Sequence, residues 1–143
     1  MQNKRTLDDW LNWQETLMEE TIVLGLDRVQ IVYDLLFPSG VPYAVITVAG
    51  TNGKGSTVSF IDSIYHESKY KVGRSTSPHL LKYNERFAID GKEVTDELII
   101  KAFELIETKR EGVTLTYFEF STLAALIIFA EASVDLAILE VGL

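Results

Sequence analysis

The sequence predicts an α/β fold in which a parallel sheet is flanked by helices, and three observations predict it. Apolar runs of strand length at 43–49, 72–76 and 134–141 alternate with longer segments whose apolar residues recur at helical spacing. The runs at 43–49 and 134–141 are apolar nearly throughout, as strands inside a parallel sheet are. A glycine-rich loop joins the first run directly to a helix, which suits a parallel strand entering a right-handed crossover.

The predicted helices carry start and stop signals. Thr6-Leu7-Asp8-Asp9 has the pattern of a capping box, and it precedes a helix with Trp10, Trp13 and Leu17 on one face. The segment 117–132 is apolar nearly all round, which predicts a buried helix. The other predicted elements are a helix over 27–37 ended by Pro38 and Gly40, a helix over 57–70, a strand over 86–90 that closes in an Asp90-Gly91 turn, and a helix after Thr95.

Composition excludes several classes of function. The chain has 143 residues, of which 47% are hydrophobic, enough for one domain with a core. Its formal net charge of -8 argues against nucleic acid or an anionic membrane surface as the main partner, because both select basic patches. The absence of cysteine excludes disulfides and thiolate zinc sites. The longest apolar run, 123–130, falls short of the ~20 residues that span a bilayer. We therefore expect a soluble, cytoplasmic protein.

The most specific stretch is the loop Gly50-Thr51-Asn52-Gly53-Lys54-Gly55-Ser56-Thr57, between a strand and a helix. Backbone N–H groups at the start of a helix attract anions, and glycines let phosphate oxygens approach the backbone. Lys54 adds a positive charge for the outer phosphates, and Ser56 or Thr57 offers a hydroxyl near a metal ion. The alternative is a glycine-rich turn that only joins the strand to the helix. The flanking strand and helix favour a phosphate-binding loop.

The loop departs from the pattern G-x-x-x-x-G-K-[ST], because Val48 stands six residues before Lys54 and Gly55 follows it. In this form it resembles the phosphate loop of the Mur ligase superfamily and, more narrowly, of folylpolyglutamate synthases and bifunctional dihydrofolate synthases. Further segments resemble these enzymes in the same order: Leu24–Val29, Thr76–Leu80 with Asn84–Arg86, Thr116–Phe120 and Leu139–Leu143. The resemblance implies a P-loop NTPase-like fold, with residues 1–143 as the N-terminal portion of a Mur-ligase-type ATP-binding domain. The rest of that domain, with a metal-binding histidine and a modified lysine, and the C-terminal domain are then absent from this chain.

The resemblance implies that ATP binds at residues 50–57, that Lys54 is catalytic, and that magnesium is held by Ser77 and Glu140. The residues themselves leave alternatives. Ser77 lies in a polar loop that could be a solvated turn. Glu140 could be an ordinary strand-end residue, although a charge after the apolar run 136–139 costs desolvation free energy unless it is paired or metal-bound. Both residues follow parallel strands at the carboxyl edge, so we expect them to meet beside the loop.

The resemblance also implies contacts with the pterin ring of a folate. These are assigned to Leu24, Gly25, Leu26, Thr116 and Phe118, and a folate contact is assigned to Arg86. From the residues alone, aromatic side chains at the start of a buried helix are usually core, and Phe120 is assigned to the core. His66 and His79 are interpreted as surface histidines rather than catalysts.

The resulting hypothesis is an ATP-dependent ligase with magnesium as cofactor. It would add L-glutamate to a folate through an acyl phosphate, acting on tetrahydrofolates, on dihydropteroate, or on both. One alternative is a cell-wall Mur ligase acting on a UDP-linked sugar, whose loop usually has Thr where this chain has Gly55. Another is a nucleotide-binding module without chemistry. We expect the complete enzyme to be a monomer without nucleic-acid or membrane partners, and residues 1–143 alone to be inactive and to self-associate.

Overall fold

The computed structural model describes residues 4–17 and 25–142, which group into two compact units: Met1–Gly40 with Asp96–Ile127, and Val41–Thr95 with Ile128–Leu143. The helices are α1 (Leu7–Leu17), α2 (Asp27–Leu36), α3 (Lys54–Glu67), α4 (Asp96–Lys109) and α5 (Tyr117–Glu131), and a 3-10 turn covers Tyr83–Arg86. The strands are β1 (Ala44–Val48), β2 (Val72–Ser75), β3 (Phe87–Ile89), β4 (Lys92–Glu93) and β5 (Leu136–Glu140). Every helix and strand predicted from the sequence is present, with ends that differ by a few residues, and β4 is an additional strand.

The predicted α/β fold class is confirmed. The five strands form one sheet in the order β1-β5-β2-β3-β4. β1, β5 and β2 are parallel, and α3 connects β1 to β2. β3 runs antiparallel to β2, which it follows through the loop over 76–86, and antiparallel to β4. The Asp90-Gly91 turn, with φ of 76° at the glycine, reverses the chain between β3 and β4. The sheet is therefore mixed, with its parallel part at the end that carries the glycine loop.

The order of the strands corrects one expectation. β1 was expected inside the sheet, but among the described residues it is an edge strand, and its Val45 is 41% exposed. The interior position belongs to β5, which pairs with β1 on one side and β2 on the other. Both strands are apolar, so composition alone could not decide which of them lies at the edge.

Apolar side chains from α3 and the parallel strands form the core of the sheet unit. The buried cluster comprises Val48, Val58, Val72, Leu136 and Ile138. A glycine within a short strand, as at Gly73, suggests close packing. The structure shows it: a Cβ atom built on Gly73 would lie 2.5 Å from Cδ1 of the buried Phe129. β2 can pass this ring only because residue 73 has no side chain.

The helical unit is organised around aromatic side chains. α1 begins with the predicted capping box, in which Thr6 Oγ1 accepts the N–H of Asp9 at 3.2 Å and Asp9 Oδ2 accepts the N–H of Thr6 at 2.8 Å. The ring centroid of Trp10 lies 5.9 Å from that of Phe103 on α4, which in turn lies 6.1 Å from that of Phe120 on α5. Phe120 is fully buried, which confirms its assignment to the core.

The apolar helix α5 is buried, as the sequence predicts. The helix has 15 residues, and residues 123–129 are all buried. Within the described part of the chain, no helix combines the length and the apolar character needed to cross a membrane.

Candidate functional site

The carboxyl ends of the three parallel strands meet at one edge of the sheet. Val48 at the end of β1 pairs with Glu140 at the end of β5, and Ser75 at the end of β2 pairs with Leu139. The glycine loop leaves β1 at this edge, and Ser77 follows β2 there. Open parallel sheets bind their ligands at this edge.

The loop between β1 and α3 has the backbone of an anion site. Gly53, the N-cap of α3, has φ of 75° and ψ of 9°, a left-handed conformation that glycine adopts without strain. The first N–H groups of α3 have no partner within the helix, and the helix dipole adds positive potential. Thr57 closes this turn, because its N–H and its hydroxyl donate to the Gly53 carbonyl at 3.0 and 2.9 Å. Four further residues of the loop are exposed: Thr51, Asn52, Gly55 and Ser56.

The side chain of Lys54 is held within the loop. The side chain is half-buried, and Nζ donates a hydrogen bond of 2.6 Å to the carbonyl oxygen of Gly50. An ammonium group has three N–H donors, so this bond leaves two for phosphate oxygens. Lys54 is therefore positioned across the loop by the loop's own backbone.

Glu140 lies between the glycine loop and Ser77. The N–H of Ser77 donates to Glu140 Oε1 at 3.5 Å, which is long for a hydrogen bond. On the other side, a Cβ atom built on Gly55 would lie 3.9 Å from Glu140 Oε2. The two residues assigned to the metal thus meet beside the loop, although 63 positions separate them in sequence.

The oxygen donors at this edge fit a magnesium ion. Magnesium prefers hard oxygen ligands and usually keeps several waters, so one carboxylate, one hydroxyl and a phosphate oxygen suffice. Glu140 carries a carboxylate and Ser77 a hydroxyl, and the N–H of Ser77 donates to that carboxylate. In residues 4–17 and 25–142, no group of three or more His, Cys, Asp or Glu side chains could hold a metal ion.

Glu85 holds the loop that follows β2, a role that the sequence analysis missed. Its carboxylate accepts the N–H groups of Leu80, Leu81 and Lys82 at 2.9, 2.8 and 2.7 Å. These hydrogen bonds lower the pKa of Glu85, and the bond from the N–H of Leu80 has the largest effect. The available signal was its position three residues after Lys82, from which a glutamate can reach back to the start of a helical turn.

Arg86 ends the 3-10 turn in the same loop. Its Nε donates to Nδ1 of His79 at 2.8 Å, and its guanidinium carbon lies 5.4 Å from the ring centroid of Tyr83. His79 is half-buried, with its ring centroid 5.7 Å from that of Tyr83. His79 is therefore partly exposed, and its ring contacts Arg86 and Tyr83, neighbours that the sequence does not indicate.

A second polar cluster anchors α3 to the sheet. Asp62 of α3 is buried, and its Oδ2 lies 3.4 Å from Nη1 of Arg74 on β2. Burial raises the pKa of Asp62, and the positive charge of Arg74 opposes this shift. His66 is exposed, as expected, and its Nδ1 lies 3.6 Å from Oδ1 of Asp90, which also accepts the N–H of Val72. The helix that begins in the glycine loop is thus tied to β2 and to the β3–β4 turn.

Most of the residues assigned to folate lie in the helical unit: Gly25, Leu26, Thr116 and Phe118. Leu26 is the N-cap of α2 and is 76% exposed, and Phe118, in the first turn of α5, is 46% exposed. Leu24 lies outside the described residues, and Arg86 belongs to the sheet unit.

The chain is similar to known enzymes over almost its whole length. It is 45% identical to the dihydrofolate synthase/folylpolyglutamate synthase of Escherichia coli, over 96% of this chain and 32% of that protein. The structure of E. coli FolC in complex with DHPP and ADP matches with a TM-score of 0.90 and 44% identity, over 97% of this chain and 34% of that one. The Yersinia pestis bifunctional enzyme complexed with AMPPNP and Mn ion matches with a TM-score of 0.91, 44% identity and the same coverage. The chain belongs to the folylpolyglutamate synthase/dihydrofolate synthase family.

Membership of this family confirms the resemblance drawn from the ordered motifs. These matches do not favour a cell-wall Mur ligase or a nucleotide-binding module without chemistry. No protein-family model matches the chain. The chain spans about a third of the length of the synthases that it matches, 32% of the E. coli protein and 34% of the E. coli chain in the complex.

Proposed function

We propose that residues 1–143 belong to an ATP-dependent ligase that adds L-glutamate to a folate and uses magnesium. The observation that carries the proposal is the meeting of the glycine loop, Ser77 and Glu140 at the carboxyl edge of the sheet. The names of the related synthases and the nucleotides in their solved structures support it. We assign these residues to the N-terminal portion of the ATP-binding domain.

The proposed reaction has two steps. The γ-phosphoryl group of ATP moves to a carboxylate oxygen of the folate substrate, which releases ADP and leaves an acyl phosphate. The amine of L-glutamate then attacks the acyl carbon, inorganic phosphate leaves with the C–O bond electrons, and the amine gives up a proton as the amide forms. Catalysis of phosphoryl transfer is mainly positioning and charge stabilisation.

The residues at the sheet edge suit these tasks. The first-turn N–H groups of α3 and the two remaining donors of Lys54 would hold the outer phosphates of ATP. Glu140 and Ser77 would hold magnesium, which when bound neutralises phosphate charge. Thr57 keeps the loop in this shape through its two bonds to Gly53.

The folate is assigned to the exposed residues of the helical unit and to Arg86. Phe118 offers an aromatic face and Leu26 an apolar surface, both suited to a flat heterocycle. The names of the related dihydrofolate and folylpolyglutamate synthases support a folate substrate. The proposed substrates are dihydropteroate, tetrahydrofolates, or both.

A chimera tests the proposal. Residues 1–143 replace the matching third of the E. coli enzyme, and ADP release is measured with and without L-glutamate and each pterin substrate. We expect release that depends on both substrates. Lys54→Ala should lower turnover by roughly 100-fold or more, the order seen when a charge-stabilising donor is removed. The matched control is Lys92→Ala, at an exposed lysine of β4, which should retain activity.

Two results would refute the assignment. In the first, the Lys54→Ala variant turns over within a few-fold of the rate of the unsubstituted chimera, and the two proteins have the same melting temperature. The other is ADP release by the chimera that requires neither glutamate nor a pterin substrate, which would reduce the chain to an ATPase or a nucleotide-binding domain.

A further inference from the structure

Glu119 uses its two carboxylate oxygens to join the start of α5 to the start of α2. Its Oε2 accepts the N–H of Thr116 at 2.8 Å, and Thr116 Oγ1 accepts the N–H of Glu119 at 3.2 Å, which forms a capping box. Its Oε1 lies 3.9 Å from Nη2 of Arg28, the second residue of α2. One side chain therefore contacts two helix starts.

The Arg28–Glu119 ion pair is largely withdrawn from water. The side chain of Arg28 is 23% exposed and that of Glu119 is 14% exposed. Partly buried pairs are screened by salt much less than surface pairs. The carboxylate also lies at the N-terminus of α5, where the helix dipole favours a negative charge. These conditions make the pair a defined link between the two helices.

The two helix starts joined by this pair carry the residues assigned to the pterin. Gly25 and Leu26 immediately precede α2, and Thr116 and Phe118 flank the first residue of α5. Leu26, the N-cap of α2, makes no side-chain capping bond. The start of α2 is therefore not capped by its own N-cap side chain, and the ion pair supplies a contact from α5.

We propose that Glu119 and Arg28 are positioning residues for the pterin end of the folate substrate. Through their ion pair they set the spacing between the segment before α2 and the segment that begins α5. Dispersion contacts weaken steeply when a gap of 0.5–1 Å opens, so a flat ring that contacts both segments would sense their spacing. This inference rests on the proposed function, because it takes Leu26 and Phe118 as contacts of that ring.

The two links of Glu119 can be separated by substitution. Glu119→Gln keeps an oxygen acceptor for the N–H of Thr116, since glutamine also serves in capping boxes, but it removes the charge that pairs with Arg28. Arg28→Met removes the same pair from the other side and keeps an unbranched side chain. Arg28→Lys keeps the charge and serves as the conservative rescue.

The experiment measures KM for the pterin substrate, KM for ATP and kcat in the chimera. We expect Glu119→Gln and Arg28→Met each to raise the pterin-substrate KM roughly tenfold, and the double variant to match the larger single effect, as residues that share one interaction do. KM for ATP and kcat should stay within about twofold, and Arg28→Lys should recover most of the loss. A role confined to folding would instead lower the melting temperature and the amount of active enzyme.

Glu107→Gln is the matched control. It breaks another Arg–Glu pair of the helical unit, in which Glu107 Oε2 lies 2.6 Å from Nε of Arg110. This variant should melt earlier but keep its pterin-substrate KM. An equal rise in that KM would overturn the inference, because general loosening of the unit would explain both results.

The inference also fails if Glu119→Gln and Arg28→Met leave the pterin-substrate KM within about twofold, or if their effects add fully. Failure of the proposed function is distinguishable from this. In that case the unsubstituted chimera would release ADP without requiring a pterin substrate, and both proposals would fall together.

Discussion

Gly73→Ala tests the tightest contact in the sheet unit. A Cβ atom on residue 73 would lie 2.5, 2.7 and 2.8 Å from Cδ1, Cγ and Cε1 of Phe129. Carbon atoms in contact are normally about 3.5–4.0 Å apart, so three ring atoms would be overlapped at once. Phe129 is fully buried, and Gly73 is paired with Ile89 on one side and Ala137 on the other. Neither the ring nor the strand can move aside without disturbing other contacts.

The expected magnitude follows from this geometry. Inserting a methyl group into a packed core typically costs about 1–3 kcal/mol, and with three ring atoms overlapped we expect the upper end for Gly73→Ala. Phe129→Leu alone should cost on the order of 1–2 kcal/mol, because it removes buried carbon atoms. In the double variant the new methyl group enters space that the ring has left. We therefore expect the double variant to be at least about 1 kcal/mol more stable than the sum of the single effects predicts.

Urea unfolding followed by circular dichroism measures these free energies. Gly142→Ala is the control, since a Cβ atom built there meets nothing within 4 Å, and it should be nearly neutral. If Gly73→Ala unfolds at the same urea concentration as the unsubstituted chain, the contact with Phe129 is not limiting. Strict additivity in the double variant would likewise refute the reasoning, because the two side chains would then not share one space.

Three further outcomes are expected. Glu140→Gln should raise the magnesium concentration that the chimera needs, and Ser77→Ala should do so more mildly, whereas an unchanged requirement would move the metal to Ser56 or Thr57. The Gln14 carboxamide is fully buried without a hydrogen-bond partner among the described residues. Gln14→Met should therefore raise the free energy of unfolding in urea by about 1–2 kcal/mol, and a loss of stability would reveal a partner. Because the pKa of Glu85 is lowered on folding, its stabilisation exists at neutral pH and is lost as pH falls through that lowered pKa, below its ordinary 4.5. The difference in melting temperature between the chain and Glu85→Gln should therefore be constant above the ordinary pKa of 4.5 and shrink as the pH falls below it, and a difference that stays constant in acid would contradict this.

Features that depend on a few neighbouring residues could be predicted from the sequence. The capping box at Thr6 and Asp9 is an interaction within one helical turn. The strand–loop–helix around Lys54 is similarly local, because glycines, a preceding apolar run and a following helix define it. The close packing at Gly73 was expected from a glycine within a short strand, but its partner, Phe129, could not be identified.

Features that depend on which elements become neighbours could not be predicted in the same way. An apolar run is compatible with an edge strand and with an interior one, so the exposed position of β1 was missed. The loop after β2 has a conformation that no spacing of apolar residues indicates. Two sets of hydrogen bonds depend on it: the bond from Arg86 to His79 and the three N–H bonds to Glu85. The bond from Lys54 to Gly50 was missed for a different reason: the motif fixes the residue type, but not which backbone oxygen its side chain contacts.

The same distinction separates the residues assigned to ATP from those assigned to the pterin. The residues assigned to ATP and magnesium lie on one loop and two strand ends, and the sheet register brings Glu140 and the end of β2, which Ser77 follows, to the same edge. The residues assigned to the pterin lie at the starts of two helices, α2 and α5, that are distant in sequence. Arg28 and Glu119 form an ion pair between these helices. From the sequence alone, each of the two resembles an ordinary surface residue. Since the first set is held by backbone pairing and the second by one side-chain pair, substitutions should affect them separately. Nucleotide affinity should follow Lys54, and affinity for the pterin should follow Glu119.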